Sequence, residues 1–261
     1  MNLDLTGKRA VVCGSTQGIG LASARELASL GAHVTLLARH REKLEQTVAS
    51  LPAVKGQRHN FIQADFAFPN EVKSRVHDFM QNHTVHILVN NTGGPPPGTA
   101  LEAEPEDFLK AFSAHLICNQ LITQAVVPGM KKETFGRIIN IISTSVKIPL
   151  RNLGVSNTTR GAVASWAKTL SLELGPFGIT VNNVLPGATM TGRLEALIRN
   201  NAERLGKTFD EAKREMEKEI PAGRISEAHE VAAAVAFLAS PAAGYINGIN
   251  LPVDGGRTGS L

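Results

Sequence analysis

The 261 residues are 43% apolar and 19% charged, a soluble globular balance near the largest size that one hydrophobic core supports. The formal charge of +4 comes from scattered Lys and Arg with no long basic run, which argues against a nucleic-acid partner and suits a small phosphorylated ligand. Two cysteines without ligand spacing exclude a disulfide framework or a zinc site, and no apolar run reaches the roughly 18 residues of a bilayer span, so a cytoplasmic protein with no membrane partner is expected.

A β-type run at 9–13 is followed by helical spacing at 19–30, and the alternation then repeats. Further strands are expected at 33–38, 60–64, 86–90, 137–142, 180–185 and 249–253, and further helices at 42–51, 70–82, 105–127, 155–174 and 227–239. Most strands are apolar throughout rather than alternating, which marks burial on both faces. This order predicts an α/β fold: a Rossmann-type doubly wound parallel sheet of about seven strands with helices on both faces, in a single domain over 1–261. Only 191–219 breaks the rhythm. It is a charged helical stretch that reads either as a lid over a substrate pocket or as a solvated pair of surface helices.

Between the first strand and first helix stands Cys13-Gly14-Ser15-Thr16-Gln17-Gly18-Ile19-Gly20. Glycines at these spacings allow a tight turn and close approach to a pyrophosphate, which the free N–H groups of the helix N-terminus would bind. After the second strand, Ala38-Arg39-His40-Arg41 offers guanidinium where a 2′-hydroxyl would call for Asp or Glu. That favours NADP(H) over NAD(H), with Arg39 or Arg41 on the 2′-phosphate, unless both are solvated residues at the helix start.

These features resemble the short-chain dehydrogenase/reductase family and, within it, the 3-oxoacyl-carrier-protein reductase-like members. The resemblance extends along the chain through Asp65-Phe66, Asn90-Asn91-Thr92-Gly93, Pro186-Gly187 with Thr189 and Thr191, and Val253-Asp254-Gly255-Gly256. It implies that Gly14 to Gly20, Asp65, Phe66, Asn91, Gly93, Pro186, Gly187 and Thr189 hold the cofactor. It also implies a homotetramer or dimer assembled through the longest helices. The small residues Ala162, Ala164 and Ala167 suit such an interface, or else burial against the chain's own sheet.

The catalytic positions depart from the family pattern. Ser143 matches its Ser, but Ser156 and Arg160 stand where the resemblance implies Tyr and Lys, and His115 where it implies Asn. The single tyrosine, Tyr245, falls just before the last strand and is expected to be packing. Arg160 keeps a charge one helical turn from Ser156, so the cofactor-ribose contact that the resemblance implies for the Lys can survive, and Ser143 and Ser156 can both donate to a carbonyl oxygen. An acid of suitable strength is missing. His115, titrating near pH 6.5, either replaces it or is simply packed. The loop from Asn91 to Gly98, stiffened by three prolines, is expected to border the nicotinamide, where it either selects a flat or acyl substrate or only connects. The expected function is an NADP(H)-dependent oxidoreductase reducing a small carbonyl, 3-oxoacyl or another ketone, to an alcohol. The alternative is an NADP(H)-binding sensor or partner subunit with little turnover.

Overall fold

A computed structural model describes residues 1–260. The first half runs β1 (Arg9–Cys13), α1 (Gly18–Ser29), β2 (His33–Ala38), α2 (Arg41–Ala49), β3 (Asn60–Gln63) and α3 (Pro69–Met80). The second continues with β4 (Ile87–Asn90), α4 (Pro105–Phe112), a π-turn over Ser113–Ile117, α5 (Cys118–Lys132), β5 (Gly136–Ile141), α6 (Gly154–Leu174) and β6 (Ile179–Pro186). β7 (Thr189–Met190), α7 (Gly192–Leu205), α8 (Phe209–Lys218), β8 (Ser226–Glu227), α9 (Ala228–Ala239) and β9 (Asn250–Val253) complete it.

Seven strands form one parallel sheet in the order β3-β2-β1-β4-β5-β6-β9. Because a strand alternates its side chains, burying both faces requires apolar residues at every position. Within β1, Ala10 and Val12 enter one core while Val11 and Cys13 enter the other. The first core is closed by Leu27 of α1, Leu44 of α2 and Val235 of α9; the second by Val72 of α3, Ile122 of α5 and Ala167 of α6. Fully burying each larger aliphatic contributes about 1.5–3 kcal/mol. The chain crosses from β1–β3 on one side to β4–β6 on the other, so β1 and β4 flank the point where ligands enter such sheets.

Polar residues interrupt this apolar pattern at one level of the sheet. Asn90, Asn140, Asn183 and Asn250 are register neighbours on β4, β5, β6 and β9. Each donates its side-chain amide to the next, at 2.9, 2.9 and 2.8 Å. The ladder satisfies amides that an apolar interior would otherwise penalise. At its β4 end, Asn90 Oδ1 is buried without a partner.

The expected 105–127 helix is two helices joined by the π-turn, and it runs on through Pro128 to Lys132. Periodicity over a long window does not register one extra residue in a turn. Pro128 is tolerated because it lies on the exposed face, where water can satisfy the carbonyl it frees. The pairing of β7 with β8 has no counterpart in the sequence pattern, since each is two residues long. Ala164 and Ala167 pack into the chain's own cores, which accounts for two of the three small residues on α6 without a partner. Tyr245 is fully exposed rather than packed (103%). It precedes a parallel strand and therefore sits toward the opposite end of the strands from Ser143 and Asn91.

Among the described residues no helix is long and apolar enough to cross a membrane. The two cysteines are both free and buried.

Candidate active site

The phosphate turn is closed sterically as well as by sequence. Gly14 and Gly18 adopt left-handed backbone, φ +57° and +55°. A Cβ on Gly14 would lie 2.6 Å from the Asn91 carbonyl oxygen, and one on Gly20 only 2.2 Å from the Gly14 carbonyl oxygen. Asn91 donates its side-chain amide to the carbonyls of Cys13 (3.3 Å) and Gly14 (3.2 Å), so the loop after β4 braces the turn after β1. Behind that turn, α1 starts without a side-chain cap and without an acidic residue in its first turn. Its first N–H groups are open donors at the positive end of the helix dipole. Ser15, next in the turn, is buried with an unpartnered hydroxyl. This cradle fits a pyrophosphate.

At the end of β2 the two candidate arginines separate. Arg41 pairs with Glu45 at 2.8 Å. Arg39 is exposed, with its Nε directed at His40 Nε2 (3.1 Å) and no carboxylate partner among the described residues. Nearby, Asp65 caps its own turn by accepting from the Ala67 amide, and Phe66 packs against the second core.

At the far side of the crevice, Gly187 passes so near Asp254 that a Cβ would meet it at 2.6 Å. Pro186 ends β6 and leads into this approach. Thr189 is buried and accepts from Ser226 at 3.0 Å, so its hydroxyl is already engaged in joining β7 to β8. It is Thr191 that faces the phosphate turn: its Cγ2 would be 3.1 Å from a Cβ on Gly18. Thr191 also caps α7 by accepting from the Leu194 amide.

The catalytic candidates gather where β4 and β5 end. Ser143 accepts from the Ser145 amide at 3.1 Å, which orients its oxygen and leaves its hydrogen free to donate. Ser156 is nearly buried in the first turn of α6, and its hydroxyl has no partner among the described residues. One turn on, buried Arg160 donates to the carbonyls of Ile141 (3.1 Å) and Thr92 (3.4 Å). Burial and the neighbouring Arg193 pull it down to about 10, so it remains cationic at neutral pH.

His115 is delivered by the π-turn, with Nδ1 hydrogen-bonded to Thr92 Oγ1. It is 2% exposed. Burial first, then the charges of Arg160 and Arg193, push its pKa down to about 3. The expectation of an imidazole titrating near pH 6.5 is therefore corrected. At neutral pH the ring is uncharged and passes a proton only as a neutral donor–acceptor.

The structure thus brings Ser143, Ser156, Arg160, His115, Asn91 and the glycine turn to one end of the sheet. Gly93 joins them without steric demand, since nothing lies within 4 Å of a Cβ there. Thr92 and Arg193, which complete the cluster, were not legible as site residues. Arg193 reaches the Pro95 carbonyl (2.9 Å) across 98 positions of sequence, a contact that no local pattern signals.

Comparison with known proteins gives the family. The family described as Enoyl-(Acyl carrier protein) reductase matches residues 14–258. A granaticin polyketide synthase putative ketoacyl reductase of Streptomyces violaceoruber is 36% identical over 95% of this chain and 92% of its own. The 3-oxoacyl-[acyl-carrier-protein] reductase FabG of Haemophilus influenzae is 34% identical over 97% and 98%. Among solved structures, L-sorbose reductase of Gluconobacter frateurii, complexed with NADPH and L-sorbose, is similar over 100% of both chains, with a TM-score of 0.94 and 30% identity. The chain belongs to the short-chain dehydrogenase/reductase family.

Proposed function

We propose that this protein is an NADP(H)-dependent oxidoreductase that reduces a small carbonyl compound, a 3-oxoacyl group or another ketone, to the alcohol. The observation that carries the reading is the uncapped start of α1 behind a glycine turn that admits no side chain, at the same end of the sheet as Ser143, Ser156 and Arg160. Arg39, which has no carboxylate partner among the described residues, is assigned to the adenosine 2′-phosphate, where a guanidinium pairs bidentately. The NADPH named for the sorbose reductase complex supports that preference.

When bound, the cofactor supplies a hydride to the carbonyl carbon. Ser143 and Ser156 donate hydrogen bonds to the carbonyl oxygen and hold it in place. Arg160 places a fixed positive charge near the oxygen on which negative charge develops. The final proton comes from water, for which Thr92 and neutral His115 form a path that does not require the imidazolium. The segment 191–219 is assigned as the lid of this site, hinged at the Thr191 cap. The proposed setting is cytoplasmic, in keeping with two buried free cysteines, and the proposed assembly is a homotetramer or dimer.

A second reading, an NADP(H)-binding sensor or partner subunit with little turnover, is favoured by the same catalytic cluster. Ser156 is an aliphatic hydroxyl, His115 is neutral, and no carboxylic acid stands in for the absent tyrosine. General acid–base help is worth about 10² to 10⁴ in rate, so its loss leaves at best a slow enzyme.

NADPH oxidation against ketones and 3-oxoacyl thioesters, run beside a Ser156→Tyr/Arg160→Lys double variant, separates the two. Turnover by the parent supports the reductase. A silent parent whose double variant turns over assigns the protein to the binding role.

A further inference from the structure

Three side chains converge on one stretch of main chain. Arg160 donates to the Thr92 carbonyl and Arg193 to that of Pro95, while His115 bonds the Thr92 hydroxyl. Arg193 Nη1 lies 2.5 Å from where a Cβ on Gly94 would stand, so the guanidinium lies flat against the loop through the space that glycine leaves. Arg193 is the second residue of α7. Its bond to Pro95 therefore straps the start of the 191–219 segment onto the proline loop after β4.

The charges do not balance. Every ion pair among the described residues lies elsewhere, and none of them involves Arg160 or Arg193. Arg160 is only 8% exposed. A buried cation without a counter-charge is costly, and Arg193, itself exposed to solvent, places a second positive charge beside it. That the two are mutually close shows in Arg193 lowering the pKa of both Arg160 and His115. Each guanidinium has five N–H donors, of which Arg160 uses two and Arg193 one. The cluster holds spare donors and spare positive charge.

The cofactor pyrophosphate is one claimant, since Thr191 beside Gly18 is only two residues from Arg193. The direction of the side chain argues against it. Arg193 turns from the glycine turn toward the β4 loop, and the groups that feel its charge are Arg160 and His115 at the reacting end.

We propose that Arg193, backed by Arg160, is a specificity residue that pairs with a carboxylate on the carbonyl substrate. The preferred substrates are then oxo acids rather than neutral ketones or sugars. A planar carboxylate matches the guanidinium fork, and its negative charge offsets the unpaired cations. Binding such a substrate would hold the first turn of α7 against the proline loop, coupling recognition to closure of the lid. This inference rests on the reductase reading above.

The test titrates the NADP⁺-loaded protein with a series of short and medium straight-chain 2- and 3-hydroxy acids and with their methyl esters, by calorimetry. NADPH oxidation with the matching oxo acids and oxo esters is followed in parallel. The acids are expected to bind at least about ten-fold tighter than the esters. Arg193→Met is expected to abolish that difference with an unchanged melting temperature and little change in NADPH affinity, and Arg193→Lys to restore part of it. Equal binding of acids and esters, or saturation by neither, overturns the proposal. So does an Arg193→Met variant that loses NADPH instead of the acid, since that assigns the guanidinium to the cofactor. Neutral ketones turned over under any of these outcomes leave the reductase reading standing. Failure to bind NADPH removes both.

Discussion

Asn91 donates from its side-chain amide to the Gly14 carbonyl at 3.2 Å, joining the loop after β4 to the phosphate turn after β1. The same amide lies 2.7 Å from where a Cβ on Gly20 would stand, so it also closes off the entry to α1. One side chain therefore sets the width of the crevice in which the pyrophosphate is proposed to sit. Replacing it with Ala removes two hydrogen bonds but leaves the backbone intact. Asn91→Ala is expected to weaken NADPH binding by up to about thirty-fold, read by fluorescence titration, at an average cost of about 1 kcal/mol per bond. Gly20→Ala, which would place a methyl 2.2 Å from the Gly14 carbonyl oxygen, is expected to abolish binding.

The two arginines after β2 are expected to behave differently. Arg39→Ala removes a guanidinium that has no carboxylate partner and should lower NADPH affinity by about ten-fold or more while NADH affinity holds. Arg41→Ala breaks an exposed i,i+4 ion pair with Glu45 and should leave both affinities nearly unchanged. Parallel titrations with the two cofactors check this. A variant of Arg41 that loses NADPH selectivity would reverse the assignment.

His115 makes stability depend on pH in a defined direction. Its folded pKa of about 3 lies below the ordinary 6.5, so the unfolded chain takes up the proton first as pH falls. Its contribution is complete above pH 6.5 and is lost as pH drops toward 3. The slope is at most about 1.4 kcal/mol per pH unit for this one proton. His59 and His86 are also lowered by burial and slope the same way. Urea midpoints of the parent and of His115→Asn, measured across this window, isolate the His115 share. A variant with the parent's full slope would show that His115 does not carry it.

The asparagine ladder predicts a non-conservative cost in the interior. Asn140 both donates to Asn183 and accepts from Asn90. Asn140→Leu fills the volume with apolar atoms yet leaves the Asn90 amide and Asn183 oxygen buried and unpaired. Each orphan costs about 1–3 kcal/mol. A destabilisation of about 2–5 kcal/mol is expected in equilibrium unfolding. A Leu variant as stable as the parent would mean that the ladder adds nothing to stability.

Strand and helix positions were legible in the sequence because the central strands are buried on both faces and read as unbroken apolar runs. The glycine turn was legible too, since both its conformation and its crowding demand glycine. What escaped has a common physical origin. The π-turn that carries His115 adds one residue to a helix without disturbing its apolar stripe. The low pKa of His115 comes first from burial and then from Arg160 and Arg193, which lie 45 and 78 positions further along the chain. The Arg193 strap, likewise, exists only once α7 has folded across the β4 loop. Local pattern encodes the scaffold, whereas the electrostatics of the site arises from tertiary contacts.

The most direct measurement is a calorimetric titration of the protein with NADPH and, separately, NADH. Saturable binding of NADPH with a clear preference over NADH, lost in Gly20→Ala and narrowed in Arg39→Ala, is the predicted result. No heat and no saturation with either nucleotide up to millimolar concentration would contradict the phosphate cradle and every catalytic step that depends on it.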